Sequence, residues 1–433
     1  MQSTKINKVV LAYSGGLDTS TIIPWLKENY GCEVICFTAD VGQGQELDGL
    51  EARAIKSGAS KLIIGDLREE LVEEYILPML HSGAIYEQRY LLGTSIARPV
   101  VAKHLVQVAE QEGADAIAHG CTGKGNDQVR FELAVMALNP KLKVIAPWRE
   151  WDIQSREDAL EYMAKHNIEF SVTKNPSLYS RDQNLWHISH EGGPLEDLDN
   201  AAQDDIYQLS VTPEQAPDQP ESVAITFEQG NPVALNSEPM SALEIIEQLN
   251  LLGGKHAIGQ IDLVENRLVG MKSRGIYETP GGTILYAAHR ELESITLDRQ
   301  TAHVKEMIAL HYAELLYYGQ WFSPLRVALD AFFSSTQHNV SGTITFKLYK
   351  GNLMVVKRES ATSLYRQDIA TFGHSAVYDQ ADAAGFIRLF GLPSMIHAQV
   401  NAQKPKAASF AQPEVPWEEQ LPKYIPMPVH GED

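Results

Sequence analysis

Cysteine is scarce in this chain: three residues in 433 (Cys32, Cys36 and Cys121), an odd set without a C-x-x-C pair. That argues against a disulfide scaffold or a cysteine-based zinc site, and a reducing cytoplasm is the expected location. Long apolar runs are also missing; the absence of any stretch of about 18 apolar residues excludes a helical membrane span. The polar start, residues 1–8, passes straight into Val9-Val10-Leu11-Ala12-Tyr13, so neither a signal peptide nor a transit sequence is expected. Positive charge is the third shortage. With 36 Lys+Arg against 56 Asp+Glu, the formal net charge is −20, a surface that repels nucleic acid and anionic membranes but leaves room for a local cationic pocket. Two common nucleotide signatures are absent as well. G-x-x-x-x-G-K-[ST] does not occur, and no G-x-G-x-x-G follows a strand pattern.

The first third of the chain alternates strand and helix patterns. Residues 9–13 and 34–38 are nearly continuous apolar runs, as in parallel strands covered on both faces; 62–64 and 116–118 are shorter runs of the same kind. Helical patterns separate them. One follows Thr19, has Pro24 near its first turn and stops near Gly31; one spans 66–80 with Leu67, Leu71, Tyr75 and Met79 on one face; one spans 96–112. The alternation predicts an α/β fold, an open parallel sheet with helices on both faces and ligands at the carboxyl ends of its strands.

Further along, Pro213, Pro217 and Pro220 mark a loop at 210–222. A strand (223–227), a helix (241–252) and a long helical stretch (287–318, broken near Asp298) follow. A hairpin then pairs 343–349 with 353–357 across Lys350-Gly351-Asn352. Elements out of strict alternation predict a second, α+β domain. From Asp382 a short helix carries Phe386, Ile387, Leu389 and Phe390 and ends at Gly391-Leu392-Pro393, and the proline-rich end reads as an extended arm. The expected division is a nucleotide-binding domain (1–172), a substrate domain (173–380), a terminal helix (381–402) and a tail (403–433).

The chemistry is carried first by Ser14-Gly15-Gly16-Leu17-Asp18-Thr19-Ser20, between a buried strand and the start of a helix. That placement brings backbone N–H groups and a helix N-terminus to one point, which suits a phosphate or pyrophosphate, and glycine lets the backbone approach it closely. The plainer alternative is a strand-to-helix turn with Thr19 or Ser20 as an N-cap; all seven residues together in this context favour the anion site.

With Ala12-Tyr13 before it, this segment resembles the pyrophosphate loop of the ATP pyrophosphatase group, whose members cleave ATP between the α- and β-phosphates and transfer AMP to an oxygen. Further blocks choose within the group: Phe37-Thr38-Ala39-Asp40; Arg89-Tyr90-Leu91-Leu92-Gly93-Thr94-Ser95 with Arg98-Pro99; His119 through Glu132; Tyr179-Ser180; Asn184 through Ser189; Val264-Glu265-Asn266-Arg267; and Gly275 through Pro280. In order and spacing, from about residue 8 to residue 400, they resemble the argininosuccinate synthase family.

The resemblance implies an adenine nucleotide alpha-hydrolase-like N-terminal domain and a ligase that joins L-citrulline to L-aspartate at the expense of ATP with Mg2+. It places ATP at Ala12, Tyr13, Ser14, Gly15, Gly16, Leu17, Asp18, Thr19, Ser20, Ala39 and Gly120. Aspartate falls to Thr122, Asn126 and Asp127, and citrulline to Tyr90, Ser95, Asn126, Arg130, Ser180, Ser189, Glu265 and Tyr277. Asp18 and Asp127 are the implied catalytic carboxylates, no metal is held by protein ligands, and the terminal helix is a contact in a homotetramer. The residue types suit these roles: an Arg fork matches a substrate carboxylate, and Asp127 can accept a bond from an ammonium.

Other readings carry less. Gly123-Lys124-Gly125 alone is an exposed turn, and His187-Ile188-Ser189-His190-Glu191 is not the H-E-x-x-H of a zinc site. Cys121 stands where this family usually places a small residue and reads as a small buried side chain. A tRNA-thiolating enzyme of the same group would need a basic surface and paired cysteines, against the charge and cysteine pattern here. A nucleotide-binding regulator would not need an amino-acid site.

Overall fold

The computed structural model describes residues 5–153, 155–168 and 178–402. Residues up to Tyr365 pack as one compact unit and those from Arg366 onward as a second. The first unit opens with a parallel sheet of β1 (Lys8–Ala12), β2 (Glu33–Asp40), β3 (Lys61–Asp66), β4 (Ala116–Ala118) and β5 (Lys143–Ile145), in the order β3-β2-β1-β4-β5. Its helices are α1 (Leu17–Tyr30), α2 (Leu50–Lys56), α3 (Arg68–Glu70), α4 (Leu77–Ser82), α5 (Gly93–Gln111), α6 (Asp127–Leu138) and α7 (Arg156–Lys165).

Period-two alternation assigns the two faces of this sheet. Val10, Ile35, Phe37 and Ile117 join one core cluster; Val9, Leu11, Val34, Cys36, Ala116 and Ala118 join another with Ile22, Ile23 and Leu26 of α1. The chain leaves β1 toward β2 on one side and β4 lies on the other, so β1 and β4 flank the point where strand order reverses. Ligands of such sheets bind there.

After it come β6 (Ser180–Gln183), β7 (Ile188–Glu191), β8 (Glu221–Glu228), β9 (Asn231–Leu235), β10 (Glu238–Pro239) and α8 (Ala242–Lys255). Then follow β11 (Gln260–Asn266), β12 (Lys272–Glu278), α9 (Pro280–Thr296), α10 (Arg299–Tyr317), α11 (Pro324–Thr336), β13 (Gly342–Tyr349) and β14 (Asn352–Glu359). They form two antiparallel sheets, β11-β12-β7-β6 and β10-β9-β8-β13-β14. One apolar cluster runs from Val10 and Ile35 through Leu92 and Trp186 to Val223 and Phe346, which is why both halves fold as one unit. The turn between β6 and β7 docks on the parallel half through three bonds. Leu185 N donates to Val41 O (2.7 Å), Asn184 Nδ2 to Gly93 O (3.0 Å) and Trp186 Nε1 to Leu91 O (2.9 Å). The second unit holds α12 (Gln367–Ala370), α13 (Asp382–Phe390) and α14 (Leu392–Ala402).

The parallel sheet, its flanking helices and the α+β character of the rest agree with the sequence reading. Several details differ. Pro24 lies inside α1 and not in its first turn, because the helix starts at Leu17 with Gly16 as N-cap. β3 is an edge strand, so Ile64 is half exposed rather than covered on both faces. Between α3 and α4 the helical run widens to a π-helix over Leu71–Ile76. The wider turn offsets the drift of a four-residue repeat and keeps Leu67, Leu71, Tyr75 and Met79 buried together. The hairpin turn is two residues, not three: Tyr349 pairs with Asn352, and Lys350 and Gly351 take φ of +44° and +80°, as a tight primed turn requires. The short helix from Asp382 ends as expected, at Phe390 with Gly391 as its C-cap, but a further helix, α14, starts at once from Leu392, where proline is tolerated in the first turn. The helices α2, α6, α7, α11 and α12 were not anticipated. The expected 172/173 boundary and the 403–433 tail lie outside the described residues.

Candidate active site

At the carboxyl end of β1 the chain turns through Tyr13-Ser14-Gly15-Gly16 into α1. Gly15 has φ +77°, a conformation that strains any residue with a Cβ, and a Cβ there would stand 2.1 Å from Leu50 Cδ2 and push that side chain aside. Gly16, the N-cap, is extended (φ −72°, ψ 170°) and no side chain caps the helix. The first-turn N–H groups and the positive end of the helix dipole are therefore left for an anion. The neighbouring hydroxyls hold the turn in shape. Ser14 Oγ and Thr19 Oγ1 are 3.1 Å apart, Gly16 N donates to Ser14 Oγ (3.4 Å), and Tyr13 OH and Ser20 Oγ are 3.1 Å apart. Thr38 Oγ1 donates to Tyr13 O (2.6 Å), tying the turn to β2. Gly120, after β4, lies against the same helix; a Cβ there would sit 3.0 Å from Thr19 Cγ2. Ala39 is buried at the end of β2, its carbonyl held by Gln43 Nε2 (2.7 Å).

These strand ends form one wall of a cavity of about 470 Å³. Ala12, Tyr13, Ser14, Thr19, Ala39 and Gly120 line it. Gly15, Leu17 and Ser20 are buried behind the turn, while Gly16 and Asp18 are exposed at the helix start, outside the lining. Asp18 is solvent-accessible but flanked by enough protein that desolvation pushes its carboxyl up, partly offset by Arg156.

The opposite wall is made of charged pairs. Asp127, in the first turn of α6, accepts from Arg98 Nε and from Arg130 Nη1, both at 2.8 Å. Arg98 Nη2 also meets Asp182 Oδ1 on β6 at 2.8 Å, so one guanidinium joins the two halves. Arg130 Nε donates to Tyr317 O (3.0 Å), and the guanidinium carbon lies 4.9 Å from the centre of the Tyr317 ring. Gly319 (φ +75°) makes this approach possible, because a Cβ there would be 2.6 Å from Arg130 Cα. Burial alone would push Asp127 up, but Arg98 and Arg130 outweigh it and hold its carboxyl below the usual range. An ionised carboxylate so fixed can receive an ammonium group.

The sheet β11-β12-β7-β6 supplies the remainder. Ser189 pairs with Asp182 on one side and Tyr277 on the other, and Ser180 pairs with Glu191. Strand alternation thus puts Ser180, Asp182, Ser189, Glu191, Tyr277 and Glu265 on the cavity face. Tyr277 OH donates to Glu265 Oε1 (2.8 Å), while Glu265 Oε2 is buried without a partner among the described residues. Burial pushes both Glu265 and Glu191 up. Tyr90 OH accepts from Thr94 N (2.9 Å), and its ring packs 4.6 Å from that of Tyr277. Cationic and anionic groups therefore alternate around a space suited to zwitterionic amino acids.

Of the expected amino-acid contacts, Tyr90, Thr122, Asn126, Asp127, Arg130, Ser180, Ser189, Glu265 and Tyr277 line this cavity. Ser95 does not: it is fully buried, its hydroxyl without a partner among the described residues. Thr94, Arg98 and Val101 line the cavity at helical spacing, and Ser95 stands one residue, about 100°, off that face. The turn at Gly123-Lys124-Gly125 gives way to helix at Asp127, which sets Asp127 and Arg130 one turn apart. Reasoning from sequence assigned no role to Arg98, Asp182, Glu191, Arg267 or Tyr317. A signal existed for some: Arg98 is four residues after Thr94 on a helix, and Asp182 and Glu191 are each two residues beyond a named serine on a strand.

A parallel sheet with a glycine turn at its carboxyl edge, facing a wall of charged pairs, defines a nucleotide-using α/β enzyme that also holds small polar substrates. Two family models match the chain: the arginosuccinate synthase N-terminal HUP domain over residues 8–169 and the C-terminal domain over residues 179–397. The argininosuccinate synthase of Desulforamulus reducens is 64% identical over 393 residues, covering 91% of this chain and 98% of that one. That of Carboxydothermus hydrogenoformans is 63% identical over 398 residues, covering 92% and 98%. The chloroplastic argininosuccinate synthase of Arabidopsis thaliana is 63% identical over 397 residues, covering 92% and 80%. The chain belongs to the argininosuccinate synthase family, ATP-using ligases of amino-acid biosynthesis.

Proposed function

We propose that the chain joins L-citrulline to L-aspartate through citrullyl-AMP, giving argininosuccinate, AMP and pyrophosphate. The observation that carries this reading is one cavity with an uncapped helix start and glycine turn on one wall and the Arg98–Asp127–Arg130 and Glu265–Tyr277 groups on the other. The citrulline ureido oxygen attacks the α-phosphorus, and pyrophosphate leaves into the turn at residues 14–20. The aspartate amine then attacks the ureido carbon and AMP departs. Catalysis rests on holding the reactants in line and stabilising charge as pyrophosphate leaves, without a covalent enzyme intermediate.

Thr122, Asn126 and Asp127 are assigned to aspartate. Asn126, Arg130, Tyr90, Ser180, Ser189, Glu265 and Tyr277 are assigned to citrulline; Ser95, which stands behind the lining, is not. Among the described residues no group of three or more His, Cys, Asp or Glu is placed to hold a metal, and magnesium is read as part of the substrate Mg-ATP. Phe386, Ile387, Leu389 and Phe390 are exposed on α13, which supports a terminal subunit contact in a homotetramer. Three unpaired cysteines support a cytoplasmic setting, and no helix among the described residues is long and apolar enough to cross a membrane.

Pyrophosphate release from ATP, measured with citrulline and aspartate together and with each alone, tests the reading. Sustained turnover should need both, citrulline alone should give at most one equivalent, and aspartate alone none. Turnover that ignores both amino acids would overturn it.

A further inference from the structure

The β11–β12 hairpin reaches two parts of the cavity at once. Its strands carry Glu265 and Tyr277. Its tip, residues 267–271, touches the loop that precedes α6: Arg267 Nη1 donates to Lys124 O (3.3 Å), and Leu268 N donates to Asn126 Oδ1 (2.9 Å). The other terminal nitrogen of Arg267 is tied to Glu191 Oε2 on β7 at 2.5 Å. The tip is a closed turn, with Gly270 N donating to Arg267 O and Arg267 N to Met271 O, both at 2.9 Å. The hairpin is also fastened to the segment before α5, where Tyr86 OH donates to Asn266 O (2.7 Å) and Arg89 Nη2 to Asp262 O (2.8 Å). A side-chain amide has one oxygen; with that of Asn126 committed to Leu268, the amide is fixed in orientation and its NH2 is the end left to donate.

We propose that Arg267 is a positioning residue for the aspartate subsite. Clamped by Glu191, it holds the hairpin tip on Lys124 and Asn126 and so sets the loop that carries Thr122, Asn126 and Asp127. The proposal rests on the assignment of those three residues to aspartate. It makes one hairpin the mechanical link between the citrulline contacts on its strands and the aspartate contacts beneath its tip. The Arg267 side chain bonds a carboxylate and a backbone carbonyl, and both bonds act on protein groups rather than on substrate.

The test is steady-state kinetics of the full-length enzyme, with KM for aspartate, KM for citrulline and kcat measured separately for Arg267→Gln, Arg267→Lys and Glu191→Gln. Arg267→Gln should raise the aspartate KM by about tenfold or more and the citrulline KM by less than about threefold, as expected when a charge-assisted bond behind one subsite is lost. Arg267→Lys, whose ammonium can reach one of the two partners, should recover part of the loss. Glu191→Gln should raise the aspartate KM in the same direction by about three- to fivefold. If Arg267→Gln fails to fold, judged by its thermal melt, the Glu191→Gln result decides. Equal changes in both KM values, a change in citrulline KM alone, or no change would overturn the proposal. Failure of the functional reading looks different: the unmodified enzyme itself would then show no citrulline-dependent pyrophosphate release.

Discussion

The two walls of the cavity recognise their ligands in opposite ways. The nucleotide wall uses backbone: a glycine at φ +77°, an uncapped helix start and strand ends set by the parallel sheet. The amino-acid wall uses side chains drawn from α5, α6, α10 and four antiparallel strands, joined by bonds such as Arg98–Asp127 and Arg130–Tyr317 across as many as 187 residues of sequence. A backbone site tolerates no distortion of its turn, nor loss of the hydroxyls that hold it in shape; a side-chain network tolerates backbone variation but not the loss of a charge. Substitutions should therefore fail differently on the two walls.

The largest effect is expected from Arg130→Ala. Arg130 is buried, and its removal leaves Asp127 with Arg98 as its one remaining charged partner among the described residues and takes the Arg130 Nε donor from Tyr317 O. Losing two bonds donated by a buried guanidinium, one to the half-buried Asp127 and one to Tyr317 O, should cost about 3–5 kcal/mol of stability, read by thermal or chemical denaturation. In whatever fraction folds, the citrulline KM should rise most, and an unchanged citrulline KM would break the comparison. Gly15→Ala should come next. The added Cβ collides with Leu50, so the rate of pyrophosphate formation should fall by about a hundredfold while both amino-acid KM values stay near normal. Ser14→Ala and Asp18→Ala should cripple the same step, and survival of activity in both would remove the turn from the mechanism.

The far face of the amino-acid sheet sharpens the contrast. Glu278 is fully buried, bonded to His190 Nε2 (2.7 Å) and accepting from the N–H groups of Gln208, Leu209 and Ser210 and from Ser210 Oγ. Burial pushes its carboxyl up, but these partners outweigh it and hold the group below its ordinary value of 4.5. A depressed carboxyl adds stability above its unfolded pKa and loses it as pH falls through the folded one. Glu278→Gln should thus lower Tm at pH 7, by about 1–3 kcal/mol of stability, and the gap to the unmodified protein should close as pH drops below 4.5. A gap that stays constant with pH would remove the carboxylate from the argument. Ser95→Ala should have the smallest effect. Its hydroxyl stands behind the lining without a partner among the described residues, so no hydrogen bond is lost and the citrulline KM should stay within about twofold of the unmodified value.

The same contrast explains what could be read before the fold was known. The parallel strands announced themselves because Val9-Val10-Leu11 and Val34-Ile35-Cys36 must satisfy two cores at once. The turn at 14–20 was visible because backbone recognition leaves its mark in consecutive residues. The hairpin pairing 343–349 with 353–357 was visible for the same reason, since Lys350-Gly351-Asn352 is a local signal, although its turn proved one residue shorter. The charged wall left no such trace. Asp182 and Glu191 gain meaning only from the register of β6 and β7, and Tyr317 only from the crossing of α10 over Arg130. The helix that sets Asp127 and Arg130 one turn apart gave no signal of its own, since the turn residues Gly123 and Gly125 stand just before its N-cap Asn126.

The most direct test of the backbone-grip account is the structure of the enzyme with Mg-ATP or a non-hydrolysable analogue. The β- and γ-phosphates are expected on the N–H groups of residues 14–20 and the hydroxyls of Ser14 and Thr19, with the adenine against Ala39. A triphosphate bound instead among Arg98, Arg130 and Arg267, with the glycine turn untouched, would contradict it.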